Sequence, residues 1–202
     1  MGEPVAVAGG HSERGRRDNN EDAFSLRPDL GVFVVADGMG GLASGEVASQ
    51  MAVSSIPEKV IDRLAHHDRP DEALRTAIEC ASQAILSLSA EERENSRMGT
   101  TAVVALLRPG RVFVANLGDS PAYLVRGERV IRLTLDHTVA EELVRKGALT
   151  PDQARRSPLR NRLYKYLGSA DLKELADVHD FPPRSGDRLV LLSDGASGLL
   201  TD

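Results

Sequence analysis

The sequence predicts an α+β fold, and three observations carry that expectation. Helical and strand patterns come in blocks rather than in strict alternation, which favours α+β over a doubly wound sheet. Two long helical patterns stand side by side within residues 44–90. Four short runs rich in Val, Leu and β-branched residues then follow within residues 100–133, separated by turn signals.

In chain order, residues 4–9 read as a short strand, and His11–Asn20 as a polar loop carrying Arg14, Arg16 and Arg17. Glu21–Leu26 and Gly31–Ala36 read as strands, with Pro28-Asp29 in the turn between them. Residues 44–64 read as a helix with Val47, Met51, Val60 and Leu64 on one face and Pro57 as a kink or break. Pro70-Asp71 opens a second helix, in which Leu74, Ile78, Ala81, Ile85 and Leu88 keep helical spacing. Cys80 is expected to be buried there beside Ala77, Ala81 and Ala84, and Glu91–Arg97 is a charged loop. Thr100–Leu107, Arg111–Leu117, Ala122–Arg126 and Arg129–Leu133 read as an antiparallel meander. Thr138–Arg145 is helical, and a short helix begins at Pro151. Leu172–Val178 and Arg188–Leu192 read as strands. No internal repeat, low-complexity tract or linker interrupts the pattern.

The 202 residues suit a single domain spanning 1–202. A chain of this size buries about 70% of its unfolded surface, so its core needs no staples. With 3% aromatic residues and no Trp, that core must be built from Val, Leu, Ile and Ala. The net charge of −5 argues against a nucleic-acid partner. One cysteine excludes an internal disulfide and suits a reducing compartment, so a cytoplasmic location is expected. The first residues lack the basic and apolar regions of a signal peptide, and no apolar run approaches the length of a membrane span.

The chemistry is concentrated in acids that follow apolar runs. Val32–Val35 leads into Asp37-Gly38-Met39-Gly40-Gly41, and similar runs end at Asp119 and Asp194. Asn20-Glu21-Asp22 sits where a polar loop enters a strand. Each acid alone has two readings, a turn residue or a ligand. Gathered at one rim, the carboxylates would repel strongly unless cations lay between them. No Cys or His cluster has ligand spacing, which disfavours a closed zinc site. All-oxygen ligands point instead to Mg²⁺ or Mn²⁺. Two such ions can share a water, lower its pKa and aim it at a phosphorus atom. Arg17, four residues before Glu21, is a candidate for the phosphate oxygens because its planar fork matches them.

Six motifs in order carry a family resemblance. They are Arg17-x-x-Asn20-Glu21-Asp22-Ala23, Val35-Ala36-Asp37-Gly38-Met39-Gly40-Gly41 and Met98-Gly99-Thr100-Thr101, followed by Asn116-Leu117-Gly118-Asp119-Ser120, Leu133-Thr134-Leu135-Asp136-His137 and Leu192-Ser193-Asp194-Gly195. The chain resembles the metal-dependent serine/threonine protein phosphatases of the type 2C family, in their compact bacterial form. The resemblance implies a four-layer αββα sandwich with two central, mostly antiparallel sheets. It implies hydrolysis of phosphoserine and phosphothreonine in proteins, by a water bridging two Mn²⁺ or Mg²⁺ ions. In its terms Asp37 bridges both ions, the Gly38 carbonyl completes one, and Asp194 binds the other. Glu21 and Asp22 bind or orient metal-bound waters, Asp119 helps Asp194 hold a weaker third ion, and Arg17 holds the substrate phosphate. Thr100, Thr101 and Asp136 are implied to be structural, and residues 138–170 to include a variable flap near the site. The implied partners are phosphorylated proteins and a serine/threonine kinase acting on them, with the chain a monomer.

The chain departs from the family pattern at three places. Leu42 stands where the family has a His proposed as a general acid, and Pro121 stands where it has Arg. The family's C-terminal strand and helices, with an Asp-Asn motif bearing a further ligand, are expected to be missing from residues 1–202. These departures leave a second reading beside the active enzyme: a catalytically weak or inactive binding module on the same fold.

Overall fold

The computed structural model of the protein describes residues 6–15, 18–40, 44–91, 98–170 and 176–197. Its first strands are β1 (Asp22–Arg27) and β2 (Val32–Met39), paired antiparallel through the Pro28-Asp29 turn. β2 is covered on both faces: Val32, Val34 and Ala36 belong to one apolar cluster, and Val35 packs against another. β2 also runs further than its sequence suggests. Asp37 and Gly38 stay in strand conformation, because β3 (Gly99–Thr100) pairs with Gly38 and Met39. The reading of Asp-Gly as an ordinary turn is thereby corrected.

α1 (Ser44–Ala65) and α2 (Pro70–Glu91) pack together over one face of the sheet. α1 passes through Pro57 without a break, with Ile56 and Val60 fully buried on either side. Of the expected face, Val60 is buried and Met51 and Leu64 pack against the core, and only Val47 departs from it. Ala48, Ala52, Val53, Ile56 and Val60 point inward, while Val47 is 38% exposed. Leu74, Ile78, Ala81 and Ile85 of α2 are buried, as their spacing predicts. Cys80 is exposed, which corrects the expectation of a buried thiol. It stands two residues beyond Ile78, about 200° around the helix.

The remaining elements are β4 (Ala102–Arg108), β5 (Arg111–Leu117), β6 (Ala122–Arg126), β7 (Arg129–Arg132), α3 (Val139–Arg145), α4 (Pro151–Arg156), β8 (Asp177–Phe181), β9 (Arg188–Leu191) and α5 (Asp194–Ser197). The large sheet has the order β1-β2-β4-β5-β8, with β3 on β2; the small one has the order β7-β6-β9. All of these pairings are antiparallel. The expected meander is therefore two hairpins in different sheets. The chain crosses from the large sheet to the small one between Leu117 and Ala122. A second apolar cluster joins the sheets, with Val103, Val112 and Val114 meeting Ala122, Leu189 and Leu191. Among the described residues, the helix pair and the two sheets thus form three successive layers.

Three expectations fall wholly or partly elsewhere. Ala6–Gly9 is not a strand, and Val7 is 96% exposed, while residues 4 and 5 lie outside the described residues. Residues 92–97 of the charged loop and 172–175 of the predicted strand also lie outside them.

α3 is capped by the Thr138 hydroxyl, and α4 opens with a reciprocal capping box between Thr150 and Gln153. The chain after α4 is stitched back by bridges between Thr138 and Leu163 and between Thr100 and Leu167. Lys165, 4% exposed, donates to Asp177 Oδ1 at 3.0 Å. The Gly118 amide donates to His137 Nδ1 at 3.0 Å, so the imidazole proton sits on Nε2, 3.2 Å from Asp177 Oδ2. Removing the carboxylate leaves a buried ammonium. Asp177→Ala is expected to destabilise the fold by about 3 kcal/mol, the low end for a broken buried pair because Asp177 itself is partly open to water. Asp177→Asn, which keeps acceptor and shape, should lose less; urea denaturation of the two variants checks the order.

Candidate active site

The acids predicted from strand ends reach the rim where both sheets finish. Asp22 and Asp37 lie directly opposite each other on β1 and β2. Asp119 sits in the crossing between the sheets, and Asp194 opens α5 just after β9. The Ser193 hydroxyl donates to Asp22 Oδ2 at 2.7 Å, tying the end of the small sheet to the first strand of the large one. Glu21, Asp37, Gly38, Asp119 and Asp194 all line one cavity of about 460 Å³.

The backbone of Asp37 is clamped. Its N–H donates to Thr101 Oγ1 at 3.0 Å. Its carbonyl accepts from the Thr101 amide at 2.9 Å and from the Thr100 hydroxyl at 3.0 Å. Thr101 Oγ1 in turn lies 2.6 Å from Ser120 Oγ, beside Asp119. The expected structural role of the two threonines is visible in these contacts. Gly38 is required by close approach: a Cβ there would stand 2.0 Å from the Gly45 carbonyl oxygen of α1. A Cβ on Gly45 would meet Glu21 Oε1 at 2.6 Å. The first turn of α1 thus lies against the Glu21 carboxylate, where the helix dipole favours negative charge.

Burial and the neighbouring Asp194 and Asp22 charges push the Asp37 carboxyl up to about 8, and a hydrogen bond with Asp194 contributes. Burial, together with Asp136 and Asp194, pushes Asp119 up to about 6. Among the described residues no three potential ligands stand as a ready-made set around one point. The crowded Asp37 carboxyl is instead pushed towards its protonated form, which relieves uncompensated like charge. An all-oxygen donor set holding excess negative charge fits hard divalent cations. Arg17 and Leu42 lie outside the described residues. The cavity also has a wall that sequence reasoning placed only as a flap: Asn161, Arg162, Leu163 and Tyr166. Their segment is irregular and carries no periodic signal. The Tyr166 ring lies where a Cβ on Gly99 would stand, 2.9 Å away.

The comparisons with known proteins agree with this fold. The family model described as protein phosphatase 2C matches residues 9–202. The chain is similar to the serine/threonine phosphatase stp of Listeria monocytogenes, 34% identical over 95% of this chain and 78% of that one. It is similar to the serine/threonine protein phosphatase PstP of Mycobacterium tuberculosis, 33% identical over 95% of this chain and 36% of that one. Among solved structures, M. tuberculosis PstP/Ppp superposes with a TM-score of 0.79 at 32% identity, covering 92% of this chain and 77% of that one. The PstP catalytic domain in complex with two manganese ions gives 0.74 at 31% identity, covering 92% and 76%. The two-sheet fold with its acidic rim defines a metal-dependent phosphohydrolase. The chain belongs to the protein phosphatase 2C family, whose members are metal-dependent protein serine/threonine phosphatases.

Two outcomes follow from the site's construction. In chelator, the fold binds a proton on Asp37 that the unfolded chain, with an ordinary value of 3.8, does not. That contribution is fully present below 3.8 and is lost as pH rises towards about 8. Asp119 adds to the loss only up to about 6, so the interval from 6 to 8 isolates Asp37. The melting temperature of the metal-free protein should fall across that interval, and less so in Asp37→Asn. Gly38→Ala should destabilise by about 1–3 kcal/mol through overpacking against Gly45, read by urea denaturation.

Proposed function

We propose that the chain hydrolyses phosphoserine and phosphothreonine in proteins at the Asp37 cleft, with two Mn²⁺ or Mg²⁺ ions held by its carboxylates. The observation that carries this is that Asp37, Asp119 and Asp194 line one cavity, with Asp22 directly opposite Asp37 on the paired strand. Asp37, with the Gly38 carbonyl, would hold both ions, and Asp194 one of them. Glu21 and Asp22 would orient water around them, and Asp119 with Asp194 would take a third, weaker ion. Bound there, the ions would supply Lewis-acid stabilisation of the phosphoryl oxygens and a water of lowered pKa for in-line attack.

The protein's own part is positioning. The Thr100 and Thr101 clamps fix Asp37 relative to β3, so its carboxyl projects from a held backbone. The Ser193 hydroxyl occupies one oxygen of Asp22 and orients the other. Arg17 would hold the non-bridging phosphate oxygens. Position 42 is leucine, which carries no proton, so the leaving oxygen is protonated from elsewhere.

No described helix is long and apolar enough to cross a membrane. A cytoplasmic monomer that opposes a serine/threonine kinase is the setting we infer, and the exposed thiol of Cys80 is compatible with a reducing compartment.

The test is Mn²⁺-dependent release of phosphate from a phosphothreonine peptide. Asp37→Asn and Asp194→Asn should each lower kcat/KM by more than about 100-fold, beyond the effect of losing an outer-shell contact. A folded parent protein that releases no phosphate with either metal would instead be the inactive binding module.

A further inference from the structure

Arg162 is the one cationic side chain, among the described residues, that lines the acidic cavity. Glu21, Asp37, Asp119 and Asp194 line the same space. An exposed arginine beside four carboxylates would ordinarily pair with one, as Arg126 does with Asp187 and Arg63 with Asp68. Arg162 forms no ion pair and no side-chain hydrogen bond among the described residues.

Its backbone accounts for this. The Arg162 amide donates to the Leu159 carbonyl at 3.1 Å, and its own carbonyl accepts from Val139 at 2.8 Å. The next residue, Leu163, bridges Thr138. The peptide is thus fixed at the start of α3, which holds Arg162 in the wall of the cavity that the carboxylates share. The nearby Lys165 is not an alternative, because its ammonium is buried on Asp177.

We propose that Arg162 contacts the substrate, its planar guanidinium taking non-bridging oxygens of the phosphoryl group as that group enters the cleft. This rests on the phosphatase reading above. With no side-chain partner among the described residues, Arg162 is available to an anion that enters the cavity. The group that must enter it is a phosphate monoester dianion, and a guanidinium matches two of its oxygens at once. A neighbouring carboxylate of the peptide would offer a similar match, so the test separates the two.

The experiment uses the Mn²⁺-loaded protein and inorganic phosphate as the probe, with binding followed by calorimetry. Kinetics run in parallel on p-nitrophenyl phosphate and on a phosphothreonine peptide. Arg162→Ala should weaken phosphate binding roughly ten-fold or more, as loss of a charged hydrogen bond does. KM should rise to a similar extent for both substrates, while Mn²⁺ affinity and melting temperature stay at parent values. Arg162→Lys should recover part of the loss. Phosphate affinity within two-fold of the parent overturns the proposal. So does a KM increase confined to the peptide, which would make Arg162 a reader of flanking residues, and so does a loss of Mn²⁺ affinity. A parent that binds Mn²⁺ and phosphate but hydrolyses nothing would sink the phosphatase reading, while phosphate affinity would still decide the role of Arg162.

Discussion

Like charges held together at the ends of two sheets are the constraint that the rest of the structure serves. Asp22 and Asp37 stand directly opposite on an antiparallel pair, an arrangement that opposes pairing. The ladder forms because the other positions outweigh it: Val32, Val34 and Ala36 are fully or almost fully buried, and Ala23 joins the same cluster. The backbone of Asp37 cannot slide to relieve the repulsion. Its amide and carbonyl are already engaged by Thr100 and Thr101. What remains is to take up a proton or a cation, and the raised Asp37 carboxyl records the first of these.

The two sheets divide this task. The large sheet brings Asp22 and Asp37, and the small sheet delivers Asp194 through β9. The crossing between them carries Asp119. Crossings of this kind need anchoring, because a loop between sheets has no ladder of its own. Here the anchors are Thr101–Ser120 on one side and Gly118–His137 on the other. His137 is then oriented by Asp177, which also neutralises Lys165. A buried ion pair is weak evidence for stability, since its desolvation offsets much of its attraction. Its effect here is directional, fixing the imidazole that receives the Gly118 amide.

The sequence makes some of this plain and hides the rest for physical reasons. β5, β6 and the buried face of α2 are legible because each is a local pattern with a single period. The acids at Asp37, Asp119 and Asp194 are legible because an apolar run leading into a carboxylate is unusual in itself. β2 extends past its Asp-Gly because β3, sixty residues on, supplies the pairing; the local turn signal could not know of it. The inward face of α1 is alanine-rich at Ala48 and Ala52, so the larger Val47 misleads the eye. Turn residues mark a hairpin and a crossing between sheets alike, which is why the meander looked continuous. His137 and Lys165 lie forty and twelve residues from Asp177, a network with no local trace.

The irregular wall of the cleft is mechanically part of the site it covers. Thr100 both donates its hydroxyl to the Asp37 carbonyl and exchanges two backbone hydrogen bonds with Leu167. The Tyr164 amide donates to the carbonyl of His137, whose ring holds the Gly118 amide. Residues 163–168 are therefore referenced to the same atoms that place Asp37 and Asp119. A segment without regular structure would ordinarily be imprecise as a binding wall, and these bonds remove that freedom where it matters. Variation in substrate preference then falls to exposed side chains on this wall, such as Asn161. Changes to the backbone path would shift the carboxylates together with the wall.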